Sequence, residues 1–383
     1  MYIINGDSMD KVSKYKVDVW LFICIIIFAL ISIITIGSAE KLLINTNGLV
    51  LRQIMWYIIG FIVIYITLSI GNNFLFKNAW ILYIVGVISL ILVLFFGATI
   101  NEAKCWFRIP GIGNIQPSEF MKIILIIVLG RMINKFKESN DNPSVKEEFI
   151  FLIKVGITVG IPAFITFLEP DTGVVLIYLL ITIIMLFASG IRYRWFALLF
   201  GIFGIIIAFI LGTYFIDNDL FIKIFGSSFF LRVDRLLDWS SGNGFQLENG
   251  ITSIGSGGLI GYGIGKTPIY FPEPQTDFIF AVFANNFGFI GSMILIIITT
   301  IFDLRLIKIA VESPSNINKY IISGFIGMLI YQQLQNIGMT IGLMPITGIT
   351  LPFISYGGSS LLSYMIIAGI IFNVSNENIR YRN

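Results

Sequence analysis

The sequence predicts an all-α integral membrane protein, a bundle of about ten transmembrane helices with one large extracytoplasmic loop. Three observations predict it. Of 383 residues, 56% are hydrophobic and only 12% are charged, about half the charge of a soluble domain. Apolar runs of roughly 18 residues or more, the length that crosses a bilayer, recur along the whole chain. Basic residues gather in alternate connections, as membrane topology requires.

The spans follow in order from hydropathy. The first, about 17–37, follows Lys11, Lys14 and Lys16 like a signal peptide. It is too long for one and lacks a convincing small-residue cleavage site, so it reads as a retained span. Spans near 53–71, 79–98, 119–134, 151–168, 173–190, 195–215, 277–303, 319–343 and 352–374 complete the count. The fourth is short and the fifth and sixth nearly touch, so the range is eight to ten. With both termini cytoplasmic, the inner connections hold most Lys and Arg, among them Lys77, Arg131, Lys135, Arg192, Arg305 and Arg380. The loops near 169–172 and 344–351 hold none. Segments 98–118 and 216–276 then lie outside. Residues 1–383 form a single membrane domain.

The composition excludes several functions. A net charge of +3 gives no basic surface for nucleic acid. There is no histidine, hence neither the commonest metal ligand nor the commonest neutral-pH base. Cys24 and Cys105 fall in a span and a loop, a poor arrangement for a disulfide.

Asp277, in "YFPEPQTDFIFAVF", stands where a loop carrying Pro272, Glu273 and Pro274 runs into a span. It has two readings. Thr276 can cap the helix, with Asp277 in its first turn complementing the dipole. Alternatively the carboxylate is a general base at a membrane entrance. The dipole would then lower its pKa, and the base would rely on proximity to a substrate hydroxyl.

Other stretches concentrate polar groups at the outer ends of the spans. In "NEAKCWFRIPGIGNIQPSEFMK", Pro110, Gly111 and Gly113 forbid a helix, and Trp106 suits an interfacial anchor. Glu119 and Lys122 share a helix face and can pair. Either this is a capping-and-pairing device or an intramembrane functional site. "GFQLENGITSIGSGGLIGYGIGKTP" ends in Lys266–Thr267 but lacks the P-loop glycine spacing. Its amides could cradle a phosphate, or the stretch could pack flexibly on the bilayer surface. Gln332, Gln335, Asn336 and Thr340 form a polar stripe that should face a cavity or another helix. "PFISYGGSS" opens the last span with hydroxyls and a Gly-Gly pair, which alone could be tight packing.

The blocks "QPSEFMK", "LEPDTG", "IGSGGLIGYGIG", "FPEPQTDFIFAVFANNFGFIG" and "GLMPITGITLPFISYGGSSLL" resemble the signatures of the SEDS family (shape, elongation, division and sporulation), whose members include RodA, FtsW and SpoVE. They run in family order from about Arg52 to Ser360. The resemblance implies an inverting peptidoglycan glycosyltransferase of the bacterial cytoplasmic membrane. It would polymerise lipid II with a class B penicillin-binding protein as partner. It implies Asp277 as the catalytic acid-base residue. Arg52, Lys122 and Arg108 would hold pyrophosphate, Lys122 as a point charge. Trp106, Gln116, Ser118, Glu119, Gln246, Lys266, Glu273, Gln335, Asn336, Ser355, Tyr356, Ser359 and Ser360 complete the expected substrate-binding set, with Gly255, Gly257 and Gly258 shaping the loop. No metal site or dedicated cofactor is expected, although a divalent cation, Mg2+ or Mn2+, could bridge the pyrophosphate.

Five positions depart from the family pattern: Gln275 for histidine, Asn285-Asn286 for two acids, Cys105 for arginine and Thr350 for proline. They suggest a divergent paralogue with a specialised role or reduced activity. Two other readings stand: a lipid II flippase or transporter, since polar stripes in a bundle also suit translocation, and a non-catalytic scaffold.

Overall fold

The computed structural model describes residues 15–43, 47–100, 103–109, 113–140, 142–227, 229–230, 233 and 244–382. Lys11, Lys14, Pro110 and Gly111 lie outside the described residues. Among those described are helices α1 (Val19–Glu40), α2 (Leu49–Ile70), α3 (Asn72–Lys77), α4 (Ala79–Phe96), α5 (Pro117–Ser139), α6 (Val145–Leu168), α7 (Thr172–Ala188), α8 (Tyr193–Ile216), α9 (Asn218–Phe225), α10 (Phe245–Ser256), α11 (Ile279–Glu312), α12 (Asn316–Thr340) and α13 (Gly358–Arg382). Three short strands, β1 (Ala98–Ile100), β2 (Ala103–Ile109) and β3 (Gly113–Ile115), interrupt the helical pattern.

Seven helices are long and apolar enough to cross a membrane: α1, α2, α4, α6, α8, α11 and α13. The apolar α7 and the more polar α5 and α12 complete the ten spans that hydropathy predicts. The two polar helices are tolerated because they are inside. They pack on each other, and α5 also meets α4 and α13 while α12 meets α7 and α11. Glu119, Lys122, Gln332 and Asn336 are therefore buried in protein rather than presented to lipid. That is why the fourth span looked short: its polar ends lowered the hydropathy without ending the helix.

The last helix is central and α8 is marginal. Of the apolar window of α13, 78% is buried, whereas only 6% of that of α8 is. α13 lies along α2, where residue 358 must be glycine: a Cβ there would stand 2.3 Å from the Trp56 indole. The Gly-Gly pair is thus a packing device at this position. The outward rows of Ile, Leu and Phe on α4 and α8 form the apolar surface a bilayer requires.

α11 breaks at Gly288, whose φ of 64° and ψ of −166° no helix contains. The glycine-rich stretch repairs the break. Tyr262 N–H and Gly263 N–H donate to the Asn285 and Asn286 carbonyls, and Phe289 N–H and Ile290 N–H donate back to Gly258 and Leu259, all at 2.9–3.0 Å. A Cβ at Gly261 would lie 2.2 Å from the Asn286 carbonyl oxygen. The stretch is therefore neither a phosphate cradle nor a flexible surface segment. It begins as α10 and ends docked on α11. Asn285 belongs to this joint, its Nδ2 donating to Ser253 O (2.7 Å) and Ser256 Oγ (3.1 Å).

The strands form an antiparallel sheet in the order β1-β2-β3, with Trp106 opposite Ala98 and Arg108 opposite Asn114. Cys24 and Cys105 are both buried and unbridged.

Candidate functional site

The sheet, the first turns of α2, α5, α7 and α13, and the segments 273–277 and 347–350 enclose a cavity of about 940 Å³ at one end of the bundle. It is large enough for a drug-sized ligand or bigger. Its wall carries four acids, Glu119, Asp171, Glu273 and Asp277, and two cations, Arg52 and Arg108. Trp106 supplies flat apolar surface, and Tyr356, Ser359 and Ser360 supply hydroxyls.

Asp277 is held just outside α11, which begins at Ile279 with Phe278 at its cap position. Thr276 is not the cap. Its hydroxyl donates to Glu273 Oε2 at 2.9 Å, as does Gln275 Nε2. The expected lowering of the Asp277 pKa by the helix dipole is accordingly reversed. Burial, then the neighbouring Glu273 and Asp171 charges, push it up to about 7. An acid that half-ionises near neutral pH is matched to general-base work. Gly348 borders Asp277: a Cβ there would stand 3.5 Å from Oδ2, an ordinary contact, so it is the φ of 70° that favours glycine.

Asp171, which sequence reasoning did not single out, is the second acid of the cavity. It caps α7, accepting from Val174 N–H at 3.2 Å through Oδ1. Its Oδ2 accepts from Gln116 Nε2 (2.6 Å) and Ser118 Oγ (3.4 Å). Burial outweighs these bonds and pushes it up to about 6. Next to it, Glu169 is fully buried, and neither carboxylate oxygen has a hydrogen-bond partner. Burial and the Asp171 charge push it up to about 8, so it is neutral at pH 7. Cys105 faces this acidic cluster. Burial and the charges of Asp171, Glu169 and Glu119 push its thiol up to about 12, so it is not a nucleophile.

The family model described as cell cycle protein, covering FtsW, RodA and SpoVE, matches residues 16–380. The chain belongs to this family. It is 30% identical to the probable peptidoglycan glycosyltransferase FtsW of Hydrogenovibrio crunogenus, over 97% of this chain and 94% of that protein. It is 31% identical to the stage V sporulation protein E of Bacillus subtilis, over 85% of this chain and 86% of that one. Among solved structures it resembles a chain from a study of polymerization and crosslinking by a peptidoglycan synthase complex, with a TM-score of 0.77 and 25% identity over 94% of this chain and 98% of that one. It also resembles the rod shape determining protein RodA of Thermus thermophilus, with a TM-score of 0.69 and 26% identity over 94% and 97%. It is a multi-pass bacterial membrane protein of the SEDS type.

The cavity gathers ten of the residues expected from sequence: Arg52, Trp106, Arg108, Gln116, Glu119, Glu273, Asp277, Tyr356, Ser359 and Ser360. Trp106 lines this wall rather than standing alone as an interfacial anchor. Seven lie elsewhere. Lys122 is fully buried, its Nζ 2.8 Å from Glu119 Oε2 and 5.7 Å from the centre of the Tyr364 ring. It is thus a counter-ion to Glu119 behind the wall, not an open phosphate contact. Ser118 bonds Asp171, Gln246 donates to Pro272 O (3.3 Å), and Gln335 donates to Pro345 O (2.8 Å). Lys266 is exposed on the glycine segment, outside the cavity wall. Asn336 and Ser355 hold backbone carbonyls. The cavity adds Trp56 and Gln275, which were not nominated as substrate contacts from sequence, and Gln332, whose polar stripe was expected to face a cavity or another helix.

Proposed function

We propose that the protein is a peptidoglycan glycosyltransferase that polymerises lipid II on the outer face of the cytoplasmic membrane. One observation carries the reading: a single wall holds Asp277, near neutral in pKa, together with Arg52, Arg108 and flat aromatic surface. The reaction joins a sugar hydroxyl to an anomeric carbon that bears a pyrophosphate-linked lipid. It needs a base on the hydroxyl and positive charge near the leaving group. Asp277 takes the proton from the 4-hydroxyl of the acceptor N-acetylglucosamine. That oxygen bonds C1 of the donor's N-acetylmuramic acid, the C1–O bond to pyrophosphate breaks, and the configuration inverts.

Arg52 and Arg108 are exposed at the cavity, where a charged phosphate can reach them without prior burial. Trp106 offers a face for the sugars, while Trp56 is buried in the wall against Gly358. Among the described residues no group of three or more Cys, Asp or Glu is spaced to hold a metal ion. A divalent cation would therefore arrive as the pyrophosphate's counter-ion. The likeness to a chain from a study of a peptidoglycan synthase complex that polymerises and crosslinks supports a transpeptidase partner, which we take to be a class B penicillin-binding protein.

The test is gel analysis of glycan strands formed from lipid II by purified protein, with and without the cognate transpeptidase. Polymer from the wild type and none from Asp277→Asn supports the reading. Lipid II movement across vesicles without any polymer would replace it with translocation.

A further inference from the structure

Asp277 precedes its helix, so no helical hydrogen bonds fix it. Instead three consecutive carbonyls of its turn are each held by a separate donor. Tyr356 N–H donates to Gln275 O at 2.8 Å, Ser355 Oγ to Thr276 O at 2.7 Å, and Asn336 Nδ2 to Asp277 O at 2.9 Å. The donors are themselves tied. Ser355 Oγ accepts from Leu351 N–H at 2.8 Å, and Asn336 Nδ2 also donates to Ile349 O at 2.8 Å.

A second tier lies behind the first. Tyr57 OH donates to Phe353 O, Ser32 Oγ to Ile354 O at 2.7 Å, and Gln53 Nε2 to Ser32 Oγ at 3.0 Å and Ser355 O at 3.5 Å. Phe353 sits at φ 63°, a strained position for a bulky residue that persists only where surroundings impose it. Ser32, Gln53, Tyr57, Asn336 and Ser355 are all buried and none lines the cavity. They come from α1, α2, α12 and the 351–357 turn, and they converge on one backbone segment. The donors of these buried groups all go to backbone carbonyls or to one another, while Gln53 Oε1 and Asn336 Oδ1 carry no hydrogen bond; donors spent in this way specify a backbone geometry rather than a ligand contact.

We infer that Asn336 and Ser355, backed by Ser32, Gln53 and Tyr57, are positioning residues that hold the Asp277 carboxylate at its working point in the cavity. The inference rests on the reading of Asp277 as the base. Without the clamp the turn is free to swing, and a shift near 1 Å costs a reacting pair about 10²-fold in rate.

The experiment compares initial rates of lipid II polymerisation by full-length wild type, Ser355→Ala, Asn336→Leu and Gln53→Leu, each checked for a monodisperse peak in detergent. Ser189→Ala, which removes an equally buried hydroxyl at the distant end of α7, is the control. Ser355→Ala and Asn336→Leu are expected to lower kcat about 10- to 100-fold with KM within about twofold. The midpoint of their pH–rate profile should move to lower pH as the loosened carboxylate gains water. Gln53→Leu should show the same pattern more weakly, and it serves if either of the others fails to purify. A raised KM with unchanged kcat would overturn the inference by making these side chains substrate contacts. So would rates and pH profiles matching those of Ser189→Ala. Asp277→Asn run alongside separates the two levels: if it polymerises lipid II at the wild-type rate, the assignment of Asp277 as the base fails and the clamp falls with it, whereas an inactive Asp277→Asn beside clamp variants matching Ser189→Ala overturns the clamp alone.

Discussion

The two ends of the bundle use the same residue types differently. At the end away from the cavity, Asp18 caps α1 through Leu21 N–H and accepts from Arg305 Nη2 at 2.6 Å, Arg305 Nε at 3.0 Å and Ser375 Oγ at 2.8 Å. Burial disfavours its charge, but these bonds outweigh burial and hold it below the usual carboxylate range. Glu148 is likewise buried, taking Trp195 Nε1 at 2.8 Å and Arg192 Nη1 at 3.4 Å. At the cavity end, Asp277, Asp171 and Glu169 all lie above the usual range, because burial there is not matched by cations. Complete pairing makes an acid structural. Incomplete pairing leaves it able to accept a proton, at a cost in stability.

The largest test of this contrast is Asp277→Asn. It should cut polymerisation by more than about 10²-fold, the scale of a lost general base. It should also stabilise the protein. The folded-state pKa is raised, so Asp277 favours folding below its unfolded value near 4, and that contribution disappears as pH rises through about 7. The melting temperature of Asp277→Asn should therefore exceed wild type at pH 8 and match it near pH 4. An unchanged melting temperature at pH 8 would break the contrast.

The paired end should behave in the opposite way. Asp18→Ala leaves Arg305 without its partner and should cost about 3 kcal/mol of stability, read by thermal unfolding, with turnover per folded molecule retained. Gly358→Ala drives a methyl group into Trp56 and should cost about 1–3 kcal/mol, with reduced activity because Trp56 lines the cavity. The smallest effect on turnover should be that of Asn285→Asp. A carboxylate cannot donate to Ser253 O, so stability should fall by about 1–3 kcal/mol while turnover holds. A gain in turnover would mean that the departure from the paired acids weakens catalysis rather than serving the joint at Gly288.

The spans were legible because hydropathy acts over whole helices, and the Glu119–Lys122 pair because three residues of helix bring two side chains together. Asp277 stood out because an acid at a membrane entrance is costly. The strands were hidden: 98–115 has neither strict alternation nor a two-residue turn, and Pro110 and Gly113 read only as a break. Asp171 stood unremarked inside the block "LEPDTG", and its capping of α7 is local to the chain. Its second role depends on Gln116, 55 positions away. Asn336 and Ser355 carried polarity that pointed to a site, yet their direction, toward carbonyls rather than into the cavity, is set by contacts 59 and 79 positions distant. Lys122 was misplaced for the same reason, since one-dimensional spacing gives its partner but not which side of the wall it occupies.

The most direct test of the central claim is the initial rate of lipid II polymerisation from about pH 5.5 to 8.5, in wild type at substrate well below KM, where the profile follows the free enzyme. If Asp277 is the base, the rate should plateau above its midpoint near 7 and fall about tenfold per pH unit below it. A rate that stays flat down to the lowest pH in folded, monodisperse protein would contradict the assignment.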